Sequence, residues 1–284
     1  MTQPGIGPCQ RCSTEAQLTA DHIGPISLGF VHSPHFNAVC LACNSSKNNR
    51  MSYADVAALI ALEETGEVVA SWHVRALWNR CKGEVSFDED ALLLSRLMRV
   101  NQHHYLILLN EIRERGLADT LLQLLSPEFA EQRTRFIGLD PLTLQYERLE
   151  RTPRQDTYAR SHAARMVRIA YQALDDYAAK TKRNLQLVDD ALLEEPRSQL
   201  NQAVEKAETE PSSWRDELKE ILDLDVAARD TRLTTLFNGS YKPDVDFGYV
   251  RTSLKGYLDA LSAVLETRFD AREALAITDA LDES

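Results

Sequence analysis

From Ser52 onward the apolar positions recur at close to 3.6 residues, which predicts helices. Val56, Leu59, Ile60 and Leu62 form the first stripe, with Ser52 as its N-cap ahead of Asp55 and Gly66 as its end. Val74, Leu77 and Trp78 mark a second helix, broken at Gly83. Leu92, Leu93, Leu97, Val100, Leu106, Leu108 and Ile112 predict a long helix ending at Gly116, and Leu117 to Leu125 a shorter one before Pro127. A further helical block runs from about Gln155 to Leu193, with Tyr158, Ala164, Val167, Ala170, Tyr171, Leu174 and Tyr177 on its apolar side. Pro196 and Pro211 flank a polar segment; helices follow near Ser213–Leu224, capped by Ser212 or Ser213, and near Val250–Thr267. The stripes are rich in leucine and poor in runs of β-branched residues, so no strands are expected there.

The N-terminal residues read differently. Between Asp21 and Phe30, Gly24, Pro25 and Gly29 punctuate the chain and argue against helix. Two short strands joined by a loop are expected, then a helix starting near Cys40 to Cys43. The fold class is therefore mainly α: a small N-terminal module over residues 1–52 and a larger all-helical domain over 53–284, with room for an internal boundary near 196–212.

Cysteine placement gives the small module a reason to fold. Cys9, Cys12, Cys40 and Cys43 form two Cys-x-x-Cys pairs. Two such pairs offer the tetrahedral sulfur site that zinc prefers, and a closed four-cysteine site is structural rather than catalytic. Two disulfides are the alternative, disfavoured in a chain without export signals. Cys81 stands alone in a helical stripe and reads as a buried small hydrophobe.

The polar residues around the cysteines carry the chemistry. Asp21 and Asn44 offer hard oxygen ligands suited to a divalent ion such as magnesium. The imidazole of His22 can accept a proton from water at neutral pH. Together these residues are the minimum for metal-assisted phosphodiester hydrolysis. Lys47 and Arg50 lie three residues apart on the expected helix and read either as phosphate contacts or as a solvated face. His32 reads as a loop residue; His103 and His104 sit in an apolar helical stripe, one expected buried and the other exposed. A non-catalytic zinc module that binds DNA or a protein partner uses the same residues structurally and is the alternative function.

Charge narrows the partners. The formal net charge of −11 argues against coating nucleic acid by bulk attraction. Between residues 133 and 183, however, eleven basic residues face six acidic ones. Arg151, Arg154, Arg160, Arg165 and Arg168 either track a DNA backbone or form a solvated face. The stretch 189–284 is acidic and is expected to meet protein or solvent. No apolar run is long enough to span a bilayer, and the N-terminus lacks a cationic start, so a cytoplasmic protein is expected.

Taken together, Cys-x-x-Cys, Asp-His-Ile-x-Pro-Ile-Ser-x-Gly from Asp21 to Gly29, and Cys-x-x-Cys-Asn-x-x-Lys from Cys40 to Lys47 resemble the HNH endonuclease motif of the ββα-metal fold. The longer strings Asp21–Phe30 and Cys43–Ser52 are similar to the cleavage half of type IIS restriction endonucleases related to BsaI. The resemblance implies a DNA endonuclease of restriction or phage defence acting on double-stranded DNA. It implies that Asp21 and Asn44 hold a catalytic Mg²⁺ or Mn²⁺, that His22 is the general base, and that the four cysteines bind structural zinc. The family's middle asparagine falls at His35 here; His35 is expected in that role, with Asn37 as the other candidate. Type IIS enzymes place a recognition region before the cleavage module, and only eight residues precede Cys9. A recognition subunit or other protein partner is therefore expected, and transient pairing of two copies on DNA to cut both strands.

Overall fold

The computed structural model describes residues 5–126, 132–140, 142–153, 156–179, 188, 190–239 and 241–272. Expectations placed on Pro127, Arg154, Gln155 and the Tyr158 side chain lie outside these residues. The chain divides into two compact units. The first takes the chain up to Gln102, then Thr134–Arg151, then the chain from Leu261; the second takes His103–Arg133 and Thr152–Ala260.

In the first unit, β1 (Ile6–Pro8), β2 (Glu15–His22) and β3 (Phe36–Cys40) form an antiparallel sheet in the order β1-β2-β3. Asp21 pairs with Asn37 and His22 with Phe36. The strands thus flank the segment 23–30, where two strands had been expected inside it. The physical reason is local. Pro25 leads into a tight turn over Ile26–Leu28, and Gly29 closes it at φ +88°, a conformation that disfavours any side chain. Leu28 and Phe30 are buried and pin the loop, and the Phe30 ring meets Trp78 edge to face at 5.2 Å. A Cβ on Gly24 would lie 2.6 Å from the Phe30 ring, so that position must stay bare.

Helix α1 (Leu41–Lys47) follows β3 without a loop, because Cys40 ends the strand and caps the helix, its Sγ accepting the Cys43 N–H. Helix α2 (Tyr53–Glu64) starts at the expected Ser52 with a complete capping box: Ser52 Oγ accepts the Asp55 N–H, and the Asp55 carboxylate accepts the Ser52 N–H at 3.0 Å. Helices α3 (Arg75–Cys81) and α4 (Asp88–Glu114) follow where the apolar stripes place them, and Cys81 is buried as expected.

Strands β4 (Gln132–Ile137) and β5 (Arg148–Pro153) form a two-stranded sheet, so the larger part of the chain is not all helical. The signal was period-two alternation through Thr134 and Phe136, with Gly138 at φ +68° after it; leucine abundance elsewhere masked it.

The second unit holds α5 (Ala118–Leu125), α6 (Asp156–Ala179), α7 (Glu194–Thr209), α8 (Arg215–Leu222) and α9 (Val226–Asn238); α10 (Gly248–Asp270) is the last helix among the described residues. Helix α6 packs on α9, and α5 on α8. The polar segment between Pro196 and Pro211 is helix α7. Pro196 sits in its first turn, where no backbone donor is needed, and Leu200, Val204 and Ala207 form its buried stripe. Helix α9 was likewise not foreseen; Asp225 caps it and Leu233 and Phe237 bury it. Among the described residues no helix is long and apolar enough to cross a membrane.

His104 is buried in this unit, whereas His103 stays partly exposed. The Val188 N–H donates to His104 Nε2 at 3.4 Å, so Nδ1 carries the proton toward Tyr257 Oη at 2.9 Å. Burial, with Arg197 nearby, pushes the His104 pKa down to about 4. A depressed histidine contributes stability that is intact above its unfolded value near 6.5 and is lost as pH falls toward 4. Urea unfolding at pH 7 and pH 4.5 is expected to show a loss of up to about 3 kcal/mol from this group. His104→Phe should flatten that part of the acid limb.

Candidate active site

The four thiols of Cys9, Cys12, Cys40 and Cys43 come together, with all sulfurs within 4.8 Å of one another. Tetrahedral zinc–sulfur bonds of about 2.3 Å require sulfurs roughly 3.8 Å apart. Cys12 and Cys40 stand at 3.8 Å, and none of the four is in a disulfide. Cys9 Sγ also accepts the N–H groups of Cys40 at 3.3 Å and Arg11 at 3.4 Å. Burial raises the Cys9 pKa, but backbone donors from Cys40, Cys12 and Arg11 outweigh it and bring the thiol down to about 6, ready to bind as a thiolate. The cluster fits zinc. Cys9 and Cys40 are buried with Leu18, Ala38 and Val39 in a small core, which is what this module has in place of a large one.

Strand β2 and helix α1 meet through two side-chain contacts. Thr19 and Asp21 are alternate residues of β2 and share a face; Asn44 and Lys47 are one helical turn apart on α1. Asn44 Nδ2 donates to Thr19 Oγ1 at 3.1 Å, and Lys47 Nζ donates to Asp21 Oδ2 at 2.8 Å. These two rungs lay α1 along β2. Burial raises the Asp21 pKa, against the pull of Lys47.

Lys47 does not sit where a phosphate contact would. It is 3% exposed, and its ammonium also donates to the carbonyls of His22 at 2.8 Å and Ile23 at 3.2 Å and lies 3.5 Å from Asp55 Oδ1. A buried cation needs this many oxygen partners, and that requirement turns the side chain inward. Asp55 in turn accepts from Asn37 Nδ2 at 3.3 Å and from Ser52 Oγ at 2.9 Å. Nothing in the sequence pattern marks Asp55, which follows the Ser52 cap, as a partner of Lys47. Arg50 remains exposed, its guanidinium donating to Ser46 O at 2.9 Å.

His22 ends β2. Its ring meets the Phe36 edge at 4.6 Å between centroids, and its Nε2 lies 3.1 Å from Nδ1 of His32. Burial, then the neighbouring His32 and Lys47 charges, pushes the His22 pKa down to about 4, so the ring is neutral at physiological pH. His32, read as a plain loop residue, is thus a direct partner of His22. His35 and His22 line one small cavity with Ile23, Gly24, Phe30 and Val31. Yet the hydrogen bond of His35 Nδ1 goes to Tyr146 Oη, and its Nε2 lies 3.9 Å from Glu67 Oε2. Asn37, directly opposite Asp21, is the residue wired to Asp55 and through it to Lys47. Of the basic residues read as a DNA track, Arg151 pairs with Glu67, and Arg168 with Asp230 and Thr234; Arg160 and Arg165 are exposed.

The family model described as "Type II restriction endonuclease (RE_Alw26IDE)" matches residues 6–266, and the chain belongs to that family. Its substrate is accordingly DNA. No curated protein and no solved structure matches the chain.

Proposed function

We propose that the chain is a metal-dependent DNA endonuclease of the HNH type, serving restriction or phage defence. The nuclease module is residues 1–52 and the mainly helical remainder 53–284. The observation that carries this reading is the pair of rungs Thr19–Asn44 and Asp21–Lys47, which joins the strand ending in Asp21 and His22 to the helix bearing Asn44 in a ββα order. The donor set of Asp21 and Asn44 suits Mg²⁺ or Mn²⁺. Such an ion would stabilise charge developing on the phosphate and on the leaving oxygen. Neutral His22 takes the proton of the attacking water. Asn37, rather than His35, orients the site, because it steadies Asp55 and so the Lys47 contacts to Asp21 and to the His22 carbonyl. Zinc on Cys9, Cys12, Cys40 and Cys43 holds the β2–α1 geometry. Arg50, three residues past the end of α1, is an exposed cation available to a phosphate. Target choice falls to a recognition subunit or to the helical part, and cutting both strands calls on two copies.

A zinc module that binds without cleaving has one observation in its favour: the Lys47 ammonium already neutralises Asp21. Supercoiled plasmid separates the two readings. Nicked or linear product is expected with Mg²⁺ or Mn²⁺ and none with a chelator. Intact plasmid under every divalent ion would leave only binding.

A further inference from the structure

We infer that His32 is a positioning residue that sets which nitrogen of His22 takes the proton. The inference rests on the reading of His22 as general base. Three contacts hold His22. Its carbonyl accepts from Lys47 Nζ at 2.8 Å, its ring leans on Phe36, and its Nε2 lies 3.1 Å from His32 Nδ1. The first fixes the backbone at the end of β2. The second fills one side of the ring but cannot tell one ring flip from the other, since an apolar edge contact is the same for both. Only the third distinguishes the two nitrogens.

A neutral imidazole has one N–H and one lone pair. For His22 to accept a proton, the nitrogen facing water must carry the lone pair, so the other must be the N–H. With Nε2 against His32, the consistent arrangement is Nε2–H of His22 donating to the Nδ1 lone pair of His32. Nδ1 of His22 is then the acceptor. His32 does for His22 what a carboxylate does for the histidine of a catalytic triad: it selects the tautomer and restrains the ring, without touching substrate. Because His32 is exposed, it can be replaced without emptying a core.

The geometry gives a pointed test. Asparagine at 32 places its Oδ1 where the histidine has Nδ1; glutamine reaches toward the Nε2 position instead. In the zinc-loaded full chain, His32→Ala and His32→Gln are expected to lower kcat roughly 10- to 100-fold with KM within about twofold. His32→Asn should recover most of the loss, with all three melting as the native chain does. Ring-nitrogen NMR of labelled histidines should show His22 protonated at Nε2 in the native chain and in His32→Asn, and a mixture of tautomers in His32→Ala. The inference is overturned by a native His22 protonated at Nδ1, by a His32→Ala kcat within twofold of native, or by an asparagine variant no better than alanine. His22→Ala run alongside keeps the failures apart. If it cleaves at the native rate, the general-base reading falls and takes this one with it. If it is inactive while His32→Ala is normal, only the role of His32 is lost.

Discussion

His22→Ala is expected to slow plasmid cleavage by about 10²- to 10⁴-fold, the range that removal of a positioned general base produces. The loss should fall on kcat. DNA affinity measured with the metal chelated should not move, because the ring sits against Phe36 and His32 at the end of β2. His35→Ala gives the contrast. His35 is itself buried and contacts the partly exposed Tyr146 and Glu67, so its loss should lower the melting midpoint more than the rate per folded molecule. Comparable rate losses for His22→Ala and His35→Ala, after correction for folded fraction, would show that the base has been assigned to the wrong ring.

Removing the sulfur-bound ion is expected to have the largest effect on stability. Structural zinc contributes apparent free energies of about 10–16 kcal/mol in zinc-finger peptides at neutral pH, and the core around Cys9 and Cys40 is too small to replace it. The purified chain should carry one zinc by elemental analysis. Cys40→Ser should lose it, because that residue is at once a thiol ligand, the end of β3 and the cap of α1. A chelator strong enough to strip the ion should abolish cleavage together with hydrogen-exchange protection of β2 and β3. Cys81→Ser is the internal control: the thiol is buried in α3, away from the cluster, so zinc content should stay at one while stability drops modestly. Full zinc occupancy in Cys40→Ser would contradict the assignment.

Much of this molecule was legible in the chain because its signals are local. The Ser52 cap, the stripes of α2 to α5 and the cysteine spacing each act within a few residues, and local physics decides them. What escaped depended on distant partners. Lys47 looks like a surface cation on a helix until Asp21, Asp55 and two carbonyls are brought to it. The pairing of His22 with His32 spans a loop whose course depends on the packing of Leu28 and Phe30. Helix α7 was hidden because three small or medium apolar residues suffice to bury it, below what periodicity detects in a polar segment. Which residue of β3 lies opposite Asp21 depends on strand register, which spacing alone does not set.

The ammonium enclosed beneath the Asp21 carboxylate makes ionic strength act unequally on the molecule. Mobile ions screen charges that water can reach, and they weaken any protein's hold on a phosphate backbone in proportion to the cations it uses. They do not enter a 3%-exposed cage of oxygens. Concentrated salt therefore loosens the chain's grip on DNA long before it disturbs the contact between Lys47 and Asp21.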